Sequence, residues 1–219
     1  MERWASLDCY GTLIDWNGGI GRELERLFGR EHAPRLLERY HELEPQVETE
    51  QYRPYRDVLT VTLERVAWTE ALELPDGEER ALARSLPAWE PFPEVPRALA
   101  ELRERGWRLA VLSNSDRDLI AASIGQIGVP FDLVIVAEDV GSYKPDHGHW
   151  RRFAAESGAG PDRHVHVGAS LFHDIAPARE LGLRSVWVNR LAEPAGPAPD
   201  RELEDLTRLP EVLDELVAA

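Results

Sequence analysis

The sequence predicts an α/β protein, a parallel-sheet core interrupted after its first strand by a long helical insertion. Three observations carry that expectation. A short apolar run at Ser6-Leu7 ends abruptly at the Asp8 carboxylate, with a glycine turn at Gly11. From Ile20 to Leu86 the apolar positions keep helical spacing and no strand pattern interrupts them. From Val95 onward helices and strands alternate, the mark of parallel βαβ units.

Leu24, Leu27 and Phe28 share one face of a first insertion helix, and Leu36, Leu37, Tyr40 and Leu43 one face of a second, with Pro45 near its end. Pro54 opens a third through Val58, Leu59, Thr62, Leu63 and Val66, and Asp76 caps a fourth that runs to Leu86. The proline-rich stretch Pro87 to Pro96 reads as a linker. Helices are then expected at 95–105, 116–127, 148–157 and 174–181, and strands at 107–112, 133–136, 164–167 and 185–188. The continuous apolar runs at 109–112 and 133–137 suit strands buried on both faces. Pro194 to Pro199 forms a surface loop and Leu203 to Val217 a closing helix.

Residues 1–15 and 92–219 therefore make the expected core and 16–91 a helical cap. An insertion of roughly 70 residues is well beyond an ordinary βα connection. It leaves the sheet at its ligand end, with the chain near Asp15 and Pro91-Pro93 acting as a hinge.

Composition narrows the class of partner. A net charge of −15 lacks the clustered positive potential that nucleic acid requires, so a small molecule is expected. No apolar run approaches the ~20 residues of a membrane span, and Met1-Glu2-Arg3-Trp4 is unlike a signal segment; the expectation is a cytoplasmic protein without membrane contact. The lone Cys9 excludes an internal disulfide, and beside Asp8 it is poorly suited to be a nucleophile. Lys144 is the single lysine among 25 basic side chains, a compact ammonium where arginine serves everywhere else.

Four strand ends deliver polar residues directly after apolar runs: Asp8, Ser113-Asn114, Lys144 and Asp174. Each alone reads equally as a cap or turn residue, but four in register point to a site. The segments Asp8-Cys9-Tyr10-Gly11-Thr12-Leu13, Leu112-Ser113-Asn114, Lys144-Pro145 and Gly168-Ala169-Ser170-Leu171-Phe172-His173-Asp174 resemble the four motifs of the haloacid dehalogenase superfamily. The resemblance covers essentially the whole chain. It implies a Rossmann-like, doubly wound parallel sheet with an inserted helical cap, and a homodimer by analogy with dimeric relatives. By the same resemblance Asp8 is the nucleophile, Lys144 steadies it, Asp174 belongs to the acidic fourth motif, and Ser113 and Asn114 bind the substrate's negative groups.

Two departures choose among the superfamily's activities. Its phosphatases carry a second Asp two residues after the nucleophile to protonate the leaving alkoxide, and here that position is Tyr10. A positioned general acid contributes about 10²- to 10⁴-fold, whereas halide leaves without a proton. Ala169 stands where such phosphatases usually bind Mg²⁺ through an Asp. The expected function is a metal-independent 2-haloacid dehalogenase without cofactor, acting on a small anionic substrate. A Mg²⁺-dependent phosphatase is the first alternative and a non-catalytic binding protein the second.

In the expected mechanism Asp8 attacks C2, halide leaves, and water activated by Asp174 cleaves the aspartyl ester with net inversion. Tyr10, Thr12, Ser113 and Asn114 line the substrate, with backbone N–H groups of the Tyr10-Gly11 turn near the ester oxygen. Arg39 of the second cap helix lies near the position where, by the same resemblance, 2-haloacid dehalogenases carry a cap arginine that helps hold halide or the substrate carboxylate; a solvated arginine is the competing reading, and Arg53 and Arg56 are alternatives. The Asn such dehalogenases carry shortly before the fourth-motif Asp is replaced by the stretch Ser170-Leu171-Phe172. The pairs His164/His166 and His147/His149 lack a third ligand at metal spacing, and Trp16, Trp68 and Trp89 suit a pocket wall or a core.

Overall fold

The computed structural model describes residues 2–194 and 196–218. Strand β1 (Arg3–Leu7) is buried along its whole length because it lies mid-sheet, between β2 (Trp107–Ser113) and β4 (His164–Gly168). With β3 (Leu133–Val136), β5 (Arg184–Val188) and β6 (Arg201–Leu203) the sheet runs β3-β2-β1-β4-β5-β6, every pair parallel. The chain builds outward from β1 to β3, then crosses back to β4 on the other side. That reversal opens a crevice beyond the carboxyl ends of the central strands. Leu7 pairs with Val111 and with Val167, so Asp8, Leu112-Ser113 and Gly168 emerge at one level.

Between β1 and the rest of the sheet stand α1 (Trp16–Phe28), α2 (Ala33–Glu50), α3 (Tyr55–Thr69) and α4 (Ala81–Ser85). Asp15 caps α1, its carboxylate accepting from Gly18 N at 2.9 Å. The chain leaves and re-enters the sheet side by side: Asp15 N donates to Glu90 O at 2.9 Å and Phe92 N to Leu13 O at 3.0 Å. Helix α2 runs through Pro45 rather than ending near it, since Leu36, Tyr40 and Val47 bury one continuous face. Asp76 caps no helix. Gly77 takes a φ of +80°, outside the helical region, so α4 begins only at Ala81.

The remaining helices are α5 (Val95–Glu104), α6 (Arg117–Ile127), α7 (Ala137–Val140), α8 (Gly148–Ser157), α9 (Ala176–Glu180) and α10 (Leu209–Leu216). Short α7 and strand β6 go beyond the sequence reading, and the closing helix starts at Leu209, not Leu203. The helix expected from Asp174 opens instead with a widened turn over Leu171–Ile175, in which both Asp174 N and Ile175 N donate to Ser170 O, at 3.0 and 3.2 Å. Such widened turns alter side-chain direction, and this one places Asp174 beside β4. No helix among the described residues is long and apolar enough to cross a membrane.

Candidate active site

At the end of β1, both Asp8 carboxylate oxygens are held. Lys144 Nζ donates to Oδ1 at 2.8 Å and Thr12 Oγ1 to Oδ2 at 2.7 Å. Thr12 Oγ1 in turn accepts from Ala169 N at 2.9 Å, tying the turn after β1 to the turn after β4. Lys144, 2% exposed, also donates to Leu112 O at 3.0 Å and to Asp174 Oδ1 at 2.6 Å. The ammonium thus bridges two carboxylates and a carbonyl. Its backbone is gripped by Asn114, whose Oδ1 accepts from Lys144 N at 2.6 Å while its Nδ2 donates to Lys144 O at 3.0 Å.

Charge balance explains the electrostatics. Burial disfavours the Lys144 ammonium, but Asp174 and Asp8 outweigh it and hold the amine charged. Burial likewise acts to raise Asp174, yet Lys144 and His166 hold it well below the usual carboxylate range. For Asp8 burial wins and raises the carboxyl, with Lys144 opposing and Asp174 reinforcing the rise. Lys144 is therefore the group that favours Asp8 as a carboxylate, the form in which it can attack.

Asp174 is fully buried, and its Oδ2 accepts from Ser170 N at 3.2 Å while His166 Nε2 lies 3.3 Å from Oδ1. That position suits holding Lys144 rather than taking a proton from water. Gly168 permits the close approach: a Cβ there would lie 2.4 Å from Asp174 Cγ. Beneath them, Ser6 Oγ lies 2.6 Å from His164 Nε2 and 2.8 Å from His166 Nδ1, so the two histidines share one serine and are not arranged as free ligands. His149 bonds Ser113 O at 3.1 Å and His147 pairs with Glu180 at 3.0 Å. Among the described residues no group of three or more His, Cys, Asp or Glu is arranged to hold a metal ion. The four oxygens of Asp8 and Asp174 all accept from protein donors, and Lys144 already supplies the cation between them. Both carboxylates are thus paired with the Lys144 ammonium.

A cavity of about 600 Å³ opens above this chain of contacts, lined by Asp8, Tyr10, Ser113, Asn114, Lys144 and Asp174 among others. Tyr10 contributes its ring. Its hydroxyl turns to Ser123 Oγ at 3.1 Å, its ring stacks on Tyr55 at 6.0 Å, and burial pushes the phenol far up, so it is no substitute for the missing acid. Gly11 N donates to Ile14 O at 2.9 Å, which removes that amide from the set expected near the ester oxygen. Burial also pushes the Cys9 thiol up, consistent with a structural role. Trp16 lines the cavity, Trp89 is core and Trp68 lies in solvent, 82% exposed.

Arg39 is not brought to the cavity. Its Nε donates to Glu70 at 3.0 Å and its Nη1 pairs with Glu42, on the outer face of α2. Arg53 and Arg56 are engaged as well, with Glu50 at 3.2 Å and with Asp116 and Asp118 at 3.0 and 2.6 Å. Asp116 does more than open α6, since its oxygens accept from Tyr55 N at 2.8 Å and Arg56 N at 3.1 Å and so cap α3. We expect Arg39→Ala to leave kcat/KM within about threefold of the unaltered enzyme, as for other solvated surface pairs. A loss of 100-fold or more would return Arg39 to the site.

Sequence reasoning missed Glu44, Glu48 and His173, which also line the cavity. A signal was present: Leu36, Tyr40, Glu44 and Glu48 fall four apart on one stripe, so two carboxylates interrupt the buried face of α2. Glu44 accepts from Tyr55 OH at 3.0 Å, and Trp16 Nε1 donates to that same hydroxyl at 2.9 Å. Burial raises Glu44 from 4.5 to about 7. A carboxyl raised on folding contributes stability below its unfolded value that is lost as pH rises toward the folded one, here between 4.5 and about 7. Glu44→Gln is therefore expected to raise the melting temperature more at pH 8 than at pH 4.5, the difference being on the order of 3 kcal/mol. Equal shifts at both pH values would contradict a buried, reluctantly ionised Glu44.

The sequence model of the haloacid dehalogenase-like hydrolases matches residues 3–182. The chain is 30% identical over 218 residues to the (S)-2-haloacid dehalogenase of Pseudomonas sp. strain YL, covering 95% of this chain and 93% of that one. It is 36% identical over 119 residues to a phosphoserine phosphatase of Thermus thermophilus, covering 52% of this chain and 48% of that one. The solved L-2-haloacid dehalogenase of Xanthobacter autotrophicus matches the fold with a TM-score of 0.85 at 21% identity, covering 97% of this chain and 98% of that one. With the family's pattern running through β1, β2, β4 and the site they carry, this chain belongs to the haloacid dehalogenase-like hydrolases.

Proposed function

We propose that this hydrolase is a 2-haloacid dehalogenase that works without a metal ion, its core formed by residues 1–15 and 92–219 and its cap by residues 16–91. One observation carries the reading: Asp8 is held by Lys144 and Thr12 while Tyr10, at the leaving-group acid position, points its hydroxyl away to Ser123. That arrangement supplies a nucleophile without a proton donor for the leaving group, which suits halide and not alkoxide. The (S)-2-haloacid dehalogenase relative aligned along nearly the whole chain supports the same substrate class.

Asp8 attacks C2 from the side opposite the halogen; the new C–O bond forms as the C–X bond breaks and halide departs with the electron pair. Lys144, kept charged by Asp174, favours the attacking carboxylate, and Thr12 fixes its orientation. Ser113 and Asn114, at the end of β2, face the substrate from the neighbouring strand. Water then attacks the ester carbonyl of Asp8, releasing a 2-hydroxy acid inverted at C2.

Chloride release from 2-chloropropionate in the presence of EDTA tests the reading. Release at an unchanged rate after metal stripping is the expected result. No release, alongside Mg²⁺-dependent release of phosphate from a phosphomonoester panel, would replace it with the phosphatase reading that the partial alignment to phosphoserine phosphatase favours.

A further inference from the structure

The second half of the reaction needs a group that takes a proton from water, and the chain lacks the family's Asn before Asp174. Asp174 has both oxygens engaged and no exposure. The next residue in the cavity wall is His173. Its backbone N–H donates to Ser170 Oγ at 3.0 Å, and its ring Nδ1 lies 3.3 Å from the same oxygen. With Nδ1–H donating to Ser170, the proton-accepting nitrogen is Nε2. That atom lies 3.5 Å from Glu48 Oε2, too long for a strong direct hydrogen bond. Both atoms thus remain available to a water between helix α2 and the turn after β4.

We propose that His173 is the general base for breakdown of the Asp8 ester and that Glu48 is its positioning residue, an assignment that rests on the dehalogenase reading above. The titratable groups around the ring are Glu48 and Glu44 on α2, Lys144, and Asp174 on its own turn. Burial lowers the imidazole to about 4, against the pull of Asp174 and with Lys144 adding to the fall, so the ring is a neutral acceptor at neutral pH. Burial and Glu44 raise Glu48, with Lys144 opposing.

The step balances on these groups. Water oxygen bonds to Asp8 Cγ as its proton passes to His173 Nε2, giving a tetrahedral intermediate. Collapse breaks the bond between Cγ and the oxygen attached to C2. That oxygen leaves with the electron pair and takes the proton back from the imidazolium, giving the 2-hydroxy acid, neutral His173 and Asp8 as the carboxylic acid; the remaining water proton then passes to solvent, and the Asp8 carboxylate re-forms beside Lys144.

Rapid-quench measurement of chloride with intact-protein mass spectrometry, using 2-chloropropionate and the full chain, tests the assignment. His173→Gln should release about one chloride per active site at the normal rate and then turn over at least ~10²-fold more slowly, with the ester accumulating on Asp8. His173→Ala carries the same expectation, and imidazole in solution should restore its turnover. Glu48→Gln should keep the burst and lower kcat without changing KM. Turnover of both His173 variants within about threefold of normal without accumulated ester overturns the assignment, since a general base contributes more than that. Loss of the burst in a variant that keeps its melting temperature also overturns it, by moving His173 into the first step. Absence of chloride release from the unaltered enzyme instead removes the dehalogenase reading, and the assignment with it.

Discussion

Asp8→Asn is expected to abolish turnover, by about 10⁴- to 10⁶-fold, the scale set by loss of a covalent nucleophile. The amide is nearly the same size and can still accept from Lys144 or Thr12 through its one carbonyl oxygen, so the fold should persist. What disappears is the anionic oxygen that forms the bond to C2. Substitution also removes a carboxylate that burial disfavours, leaving Lys144 paired with Asp174 alone at 2.6 Å. The melting temperature should therefore hold while halide release fails, including in a single turnover. A variant that still releases one halide per active site would show that Asp8 is not the attacking group.

Lys144→Met should lower activity and stability together. The ammonium is 2% exposed and bridges Asp8 and Asp174 at 2.8 and 2.6 Å, so its removal leaves two buried carboxylates facing each other without a cation. Breaking such a buried pair from one side costs about 3–5 kcal/mol. Part of that is relieved when Asp8, already raised by burial, takes up a proton and ceases to be a nucleophile. Loss of a preorganised charge at the reacting atoms is worth about 10²- to 10³-fold in rate, read as kcat/KM at neutral pH. The residual activity should rise with pH as Asp8 ionises. Replacing Asp174 by Leu in the same variant removes the second unpaired charge and should recover part of the stability without recovering rate. An unchanged melting temperature in Lys144→Met would contradict the buried bridge. Lys144→Arg is no rescue, because a planar guanidinium does not fit a slot shaped for three short bonds from one nitrogen.

Much of this was legible in the chain itself. Alternating apolar runs placed the parallel sheet because strands buried on both faces leave an unbroken apolar signature, as at 109–112. Asp8 was legible because it directly follows the carboxyl end of β1, and Lys144 and Asp174 because they fall in the connections that leave the same end of β3 and β4. Arg39 was misplaced for the opposite reason: helix rotation, not sequence distance, decides which face meets the cavity, and Glu70 and Glu42 draw its guanidinium outward. The start of α4 was missed because a positive φ at Gly77 is not written in apolar spacing. Glu44 and Glu48 were readable as carboxylates on an apolar stripe, but their meaning depends on what lies opposite, and only the fold brings His173 there.

Single-turnover reaction of the unaltered, metal-stripped enzyme with 2-chloropropionate in oxygen-18 water, followed by mass spectrometry of the peptide containing Asp8, tests covalent catalysis most directly. The label should appear in the Asp8 carboxylate, with the first-turnover 2-hydroxy acid carrying oxygen from the enzyme rather than from solvent. Label in the product and none in Asp8 would mean that water attacks the substrate directly, and it would contradict Asp8 as nucleophile.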